Sequence, residues 1–373
     1  MELRITHVSA HYPPSPGGMA KVVEHLAAQQ RTRGYEVDVL TSLDARVRPD
    51  DVQPDKPVKR LRSWEIAHTL IIPGLVGELL RLPRSSVVHL HVAQAYIPEA
   101  VYVAHRLRGL PYVAHLHLDV GPSGWAGFML RAYKPLVLAR VLRAAAVTVV
   151  FTEGQRTAIS AKYRLDPGKV VVIPNGVDTS FFRPGDRRLP STADSRPRLL
   201  FVGRLSSQKN LGQLLHALDG VSDRFDTTLV GGGEQEAELK QAVAEMRLKN
   251  VRFHGPANGT GLLELYRRAD VFVLPSEREG MPLVLLEALA MGLPIVATDI
   301  PGSRELVVDG ENGYLVPVGD PAALRRALLN SVSDADKYRK MSEASRRIAA
   351  HYSWSAVSAQ FEQVYAQALA RRG

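Results

Sequence analysis

The sequence contains no cysteine. That excludes disulfides, thiolate nucleophiles and thiolate zinc sites, and it agrees with a reducing, cytoplasmic setting. No apolar run reaches bilayer-spanning length. Met1-Glu2-Leu3-Arg4-Ile5-Thr6 passes straight into a strand-like pattern, so no secretory leader is expected. Low-complexity segments and short repeats are also missing, which argues against linker-like or solenoid chains. There is no G-x-G-x-x-G, so a nicotinamide-dinucleotide fingerprint is lacking.

What remains is a globular composition, 45% hydrophobic and 23% charged, spread over 373 residues. That length exceeds one ordinary domain and favours two of similar size. The net charge of +9 is uneven. Residues 1–180 carry 22 Lys and Arg against 15 Asp and Glu, a net of +7, and residues 181–373 carry 25 against 23, a net of +2. A basic first half suits an anionic membrane, a polyanion or an acidic substrate, and equally a solvated surface. No nucleic-acid module accompanies the charge, so nucleic acid is not an expected partner.

Strand-like and helix-like segments alternate twice. Leu3–Val8, Glu36–Leu40, Val87–Val92, Pro111–His117 and Val147–Phe151 read as strands separated by helical crossovers, the first being Met19–Arg33. Arg198–Gly203, Thr227–Val230, Val251–His254, Val271–Leu274 and Pro294–Thr298 repeat the pattern. Strands joined by helices form parallel sheets, so the class is α/β with two Rossmann-like, doubly wound domains. The expected boundaries are 1–178, a proline-rich linker at 179–197, and 198–352, with a last helix over 353–373.

Open parallel sheets bind ligands at the carboxyl ends of their strands, and four loops there have unusual chemistry. Pro13-Pro14-Ser15-Pro16-Gly17-Gly18-Met19 opens a helix with two glycines that allow close backbone approach to an anion, or simply make a turn. Gly203-Arg204-Leu205-Ser206-Ser207-Gln208-Lys209 sets two cations where they can clamp a diphosphate. Val230-Gly231-Gly232-Gly233-Glu234 exposes main-chain amides suited to a nucleotide, and serves equally well as a tight turn. Glu279-Gly280-Met281-Pro282-Leu283-Val284-Leu285-Leu286-Glu287 starts a helix whose first amides are free for a phosphate. Glu287 shares an otherwise apolar side with Leu283, Leu286 and Ala290, and a carboxylate there needs partners.

Taken in order, these loops, with Ile173-Pro174-Asn175-Gly176-Val177-Asp178 and Thr298-Asp299-Ile300-Pro301-Gly302-Ser303-Arg304-Glu305, resemble the retaining GT-B glycosyltransferases of family 4 over nearly the whole chain. The match is stronger in the second half. The resemblance implies GT-B architecture, with the two domains facing a central cleft, the acceptor on the first domain, a nucleotide-diphosphate sugar (UDP first, GDP second) on the second, and the last helix crossing back. By position it implies that Arg204 and Lys209 hold the diphosphate and that Glu279 meets sugar hydroxyls beside Gly280 and Met281. Glu287 would take the ribose, and His117 would lie near the transferred sugar. Gly17, Gly18, Gly203, Gly232, Gly233, Pro282 and Leu283 would line the phosphate and nucleotide. Such sites use no metal or other cofactor, and no Asp-x-Asp pair is expected to hold one.

The acceptor is a small molecule or lipid-linked, and the sequence leaves both open. Asp119 and His115 are the residues placed nearest to it, although Asp119 could equally cap the following loop. Trp125, Phe128 and Met129 beside Arg131 and Lys134 form a basic amphipathic stretch that could rest on an anionic membrane or, as the interruption at Pro135 slightly favours, be an ordinary helix lining a soluble acceptor's pocket. His115 and His117, like His89 and His91, are two apart and share a strand face, but neither pair has a visible third metal ligand. A nucleotide-sugar epimerase or hydrolase of the same shape and a non-catalytic sugar-binding protein are the competing readings.

Overall fold

The structure is a computed structural model that describes residues 3–15, 17–43, 57–66, 69–93, 95–117, 133–185 and 196–371. Two compact units emerge, residues 1–175 with 354–373, and residues 176–353.

In the first unit, β1 (Arg4–Ser9), β2 (Glu36–Leu43) and β3 (Val58–Arg62) are followed by a small hairpin, β4 (Trp64–Ile66) with β5 (Thr69–Ile71), and then by β6 (Ser86–Val92), β7 (Tyr112–Leu116), β8 (Val147–Val150) and β9 (Val170–Val172). The main sheet is parallel, in the order β3-β2-β1-β6-β7-β8-β9. All seven side chains of β6 and all four of β8 are buried, as expected of a parallel sheet with helices on both faces. The crossovers include α1 (Gly18–Thr32), α2 (Leu75–Arg81), α3 (Ile97–Arg108), α4 (Ala139–Ala144) and α5 (Glu153–Tyr163). Gly34 stops the chain after α1 by taking φ +88°. Thr152 starts α5, its hydroxyl accepting from the Gln155 amide.

The second unit holds β10 (Arg198–Val202), β11 (Asp226–Val230), β12 (Val251–Gly255), β13 (Val271–Leu274), β14 (Ile295–Thr298) and β15 (Gly313–Val316), all parallel in the order β12-β11-β10-β13-β14-β15. Its helices are α6 (Leu211–Leu218), α7 (Glu236–Glu245), α8 (Gly259–Arg268), α9 (Leu283–Ala290), α10 (Pro301–Arg304), α11 (Pro321–Ser331) and α12 (Ala335–Ala350). Asp320 and Asp334 cap α11 and α12. The sequence does contain one Asp-x-Asp pair that sequence reasoning overlooked, Asp334-Ala335-Asp336, and both carboxylates are engaged locally: Asp334 accepts from the Lys337 amide and Asp336 pairs with Arg339. α13 (Trp354–Ala370) belongs to the first unit, where it packs on α1, β6 and β7.

Both sheets reverse winding between the first and fourth of their long strands, β1/β6 and β10/β13. These are the switch points where doubly wound sheets bind ligands. Sequence reasoning overlooked the edge strands β3, β9 and β15, the hairpin and α12. Edge strands are short and carry little periodicity. β15 even begins on Gly313, where a Cβ would lie 2.0 Å from the Ile295 carbonyl oxygen, so the close strand approach requires glycine. The expected Trp125–Lys134 stretch and Asp119 lie outside the described residues, except for Tyr133 and the Lys134 backbone.

Candidate functional site

In the second unit the loops after β10, β11 and β13 are fastened to one another through their backbones. The Gly203 amide donates to the Val230 carbonyl, the Leu205 amide to Gly232, and the Gln235 amide to Leu205. A Cβ at Gly231 would sit 1.8 Å from the Gly203 carbonyl oxygen, and one at Gly233 would sit 2.3 Å from the Leu205 carbonyl oxygen. Two of the three glycines are therefore demanded by loop-on-loop packing. Gly232 alone has room, its nearest neighbour being a Glu236 oxygen at 3.6 Å. Among the described residues, the amides of Gly232 and Gly233 have no acceptor.

The loop after β13 joins this frame from the other side of the switch point. The Glu277 amide donates to the Gln208 carbonyl at 2.9 Å, and Gln208 Nε2 donates to the Arg278 carbonyl at 2.7 Å. These bonds bring together the two residues the sequence set 70 positions apart: Lys209 Nζ meets Glu279 Oε1 at 2.5 Å, with both side chains largely buried. A charge-assisted contact in such a place fixes both groups tightly. Gly280 is buried, and the first turn of α10 rests on it. A Cβ at Gly302 would lie 2.6 Å from the Gly280 carbonyl oxygen, a constraint that sequence reasoning did not draw from the Pro301-Gly302-Ser303 segment. Met281 is buried, Pro282 precedes α9, and helix geometry leaves the amides of Leu283 and Val284 without an intrahelical acceptor. Arg204 is exposed, and its guanidinium has no hydrogen-bond or ion-pair partner among the described residues, although its carbonyl accepts from the Ser206 amide.

Glu287 lies inside α9, 5% exposed, and accepts from the Tyr266 hydroxyl at 2.8 Å. Burial and the neighbouring Glu287 charge push the Tyr266 phenol well above its usual range. Nothing in the sequence marked Tyr266, because it reaches Glu287 only through the packing of α8 on α9.

In the first unit, Gly17 and Gly18 are exposed at the start of α1, and Gly17 takes φ +136°, a conformation that favours glycine. His117 follows directly after β7, half-buried, and its Nε2 lies 2.8 Å from His91 Nδ1. Desolvation lowers its pKa to about 3, so it is neutral. His115, expected near the acceptor, is buried. Its ring is 2% exposed and packs inside, with Nδ1 3.2 Å from His89 Nε2. The parallel register explains this. His7 pairs with His89 and His91 with His115, so every second residue of β1, β6 and β7 aims at one face and five imidazoles share it. The lack of a third histidine, which spoke against a metal, is corrected here. His7, His89 and His91, and likewise His91, His115 and His117, bring ring nitrogens within 4.8 Å of one another.

Two units of this kind, each a parallel sheet covered by helices and reversing its winding at a switch point, are the architecture of the GT-B glycosyltransferases. Family models agree along most of the chain: residues 16–181 match Glycosyltransferase Family 4, and residues 184–348 match Glycosyl transferases group 1. The chain belongs to the group 1, family 4 glycosyltransferases. It is 30% identical to phosphatidyl-myo-inositol mannosyltransferase of Mycobacterium leprae, over 97% of this chain and 96% of that one. It is also 29% identical to D-inositol 3-phosphate glycosyltransferase of Thermobispora bispora, over 99% and 95%. Its fold matches that of Anabaena HepE solved with UDP and glucose, with a TM-score of 0.81 at 20% identity over 98% of this chain and all of the other.

Proposed function

We propose that the protein is a retaining glycosyltransferase that moves a hexose or N-acetylhexosamine from a nucleotide-diphosphate sugar to a hydroxyl of a small or lipid-linked acceptor. A UDP-sugar is the favoured donor and GDP-mannose the second choice. The observation that carries this reading is the buried Lys209–Glu279 contact, held beside the open amides of the Gly232–Gly233 and Leu283–Val284 turns. Cations and main-chain donors fixed before the reaction suit a pyrophosphate that gains charge as its sugar leaves.

In this reading Arg204 and Lys209 hold the diphosphate, Glu279 accepts from sugar hydroxyls, and the Gly280 and Met281 backbone lies beside it. Glu287, already oriented by Tyr266, takes the ribose hydroxyls. Gly203 and Gly232 leave space for the nucleotide, Gly17 and Gly18 approach phosphate, and neutral His117 contacts the transferred sugar. The acceptor oxygen bonds to the anomeric carbon as the carbon–phosphate oxygen bond breaks, and the acceptor proton passes to the leaving phosphate on the same face. No metal is assigned a role. Asp119 and the Trp125–Lys134 stretch are the proposed acceptor-side elements, the latter resting on an anionic membrane surface when the acceptor is a lipid. The D-inositol 3-phosphate and phosphatidyl-inositol names of relatives support an alcohol acceptor of either kind.

A thermal-shift screen over UDP-, GDP- and ADP-sugars tests the donor. A matched donor at 100 times its dissociation constant adds about 2.7 kcal/mol to stability. If no nucleoside diphosphate or nucleotide sugar binds, the reading fails.

A further inference from the structure

The proposed donor site uses His117, the half-buried member of the five clustered histidines, and the other four, all buried, have no role in it. Their contacts form a directed series. Gln30, on α1, is 1% exposed, and its Oε1 lies 2.7 Å from His7 Nε2. His7 Nδ1 lies 2.9 Å from His91 Nε2, and His91 Nδ1 lies 2.8 Å from His117 Nε2. The Gln30 amide nitrogen donates to the Tyr365 hydroxyl at 2.6 Å, and that hydroxyl contacts His89 Nδ1 at 2.7 Å. One α1 side chain thus anchors the series from the helix side.

A neutral imidazole has one N–H and one lone pair, so in a series each ring's direction dictates the next. The Gln30 carbonyl oxygen can only accept, so His7 carries its proton on Nε2 and offers Nδ1 as acceptor. His91 then donates from Nε2 and offers Nδ1, and His117 donates from Nε2. Burial holds the rings neutral, His7 at a pKa of about 4 and His91 well below the ordinary histidine value. An amide cannot take up a proton, so the series stops at Gln30 and does not conduct.

We infer that Gln30, through His7 and His91, fixes His117 as the Nε2–H tautomer, with a bare Nδ1 that accepts a hydrogen bond from a hydroxyl of the donor sugar. His117 Nδ1 has no partner among the described residues. The functional half of this inference rests on the assignment of His117 to the sugar. Gln30, His7 and His91 are positioning residues, since each acts through the next ring. A flipped Gln30 amide would run the series backwards and put the His117 proton on Nδ1.

The test is 15N NMR of the full chain labelled at histidine, which reads the protonated nitrogen of each ring directly. In the wild type His117 is expected as Nε2–H, with a slowly exchanging ring proton. Gln30→Met removes the acceptor and leaves a buried His7 N–H unpaired, so the series reverses and His117 gains an Nδ1–H population. Gln30→Glu keeps an acceptor and keeps the wild-type tautomer. His91→Phe cuts the series, and both tautomers appear at His117 with faster proton exchange. With Gln30→Met, kcat/KM falls about tenfold, as for one lost hydrogen bond in the transition state, and Gln30→Glu restores it. A wild-type His117 protonated on Nδ1 overturns the inference. So does a tautomer unmoved by Gln30→Met or by His91→Phe, or a bound metal ion in the purified protein whose removal by chelator changes these ring signals. If His117→Ala turns over at the wild-type rate while the spectra behave as expected, the sugar contact falls and the tautomer relay stands.

Discussion

The two units share a strand order at their switch points and fill them with opposite chemistry. At β1/β6 the first unit gathers five aromatic, titratable rings, hydrogen-bonded to one another and kept neutral by burial. At β10/β13 the second unit gathers glycine backbones and a lysine–glutamate contact. One topology can therefore present either a stack of interior side chains or an open cradle of main-chain donors. The choice lies in which residue types occupy the strands and the loops that follow them.

Acid stability should separate the units most. Burial lowers the His7 pKa to about 4, so the unfolded chain binds its proton first as pH falls. Stability from that burial is fully present above about pH 6.5 and is lost as pH falls toward about 4, at up to about 1.4 kcal/mol per pH unit for each histidine that stays neutral. Calorimetry between pH 7.5 and 4.5 should show the first unit's transition falling more steeply. Parallel movement of both transitions would erase the electrostatic half of the contrast.

Next in size are the cations of the second unit. Lys209→Ala and Arg204→Ala should each lower turnover roughly 10²–10³-fold if each acts like one oxyanion donor, measured with saturating donor. Wild-type turnover in both variants would reduce the cradle to scaffolding. The glycines then divide by role. Gly231→Ala drives a Cβ into the Gly203 carbonyl and should destabilise by about 1–3 kcal/mol or more, read by chemical denaturation. Gly232→Ala should keep wild-type stability and weaken nucleotide binding instead. Equal losses of stability at both positions would refute this division. The smallest effect is expected from Tyr266→Phe, which removes one buried bond to Glu287 at a cost of about 1–2 kcal/mol. Glu287→Gln should cut nucleoside-diphosphate affinity in calorimetric titration beyond what Tyr266→Phe does.

The loops of the second unit were legible because their chemistry is local. A glycine run, two cations five residues apart, and a glutamate at each end of E-x7-E can be read without knowing what faces them. The first unit hid its network. His89-x-His91 and His115-x-His117 showed two side chains on one strand face, but His7, Gln30 and Tyr365 come from β1, α1 and α13, and no spacing in the chain ties them together. The burial of His115 against His89 was hidden for the same reason, since the helices that cover that face could not be seen.

The alternation of apolar runs with glycine-punctuated helices determined the doubly wound class and picked out the glycine-rich loops at the carboxyl ends of the strands, because period and turn chemistry act over a few residues. Only the tertiary structure decided that Lys209 meets Glu279, that Gly231 and Gly233 serve loop packing, and that five histidines become one neutral cluster. Those outcomes depend on distances between segments far apart in the chain, set by strand register and helix packing.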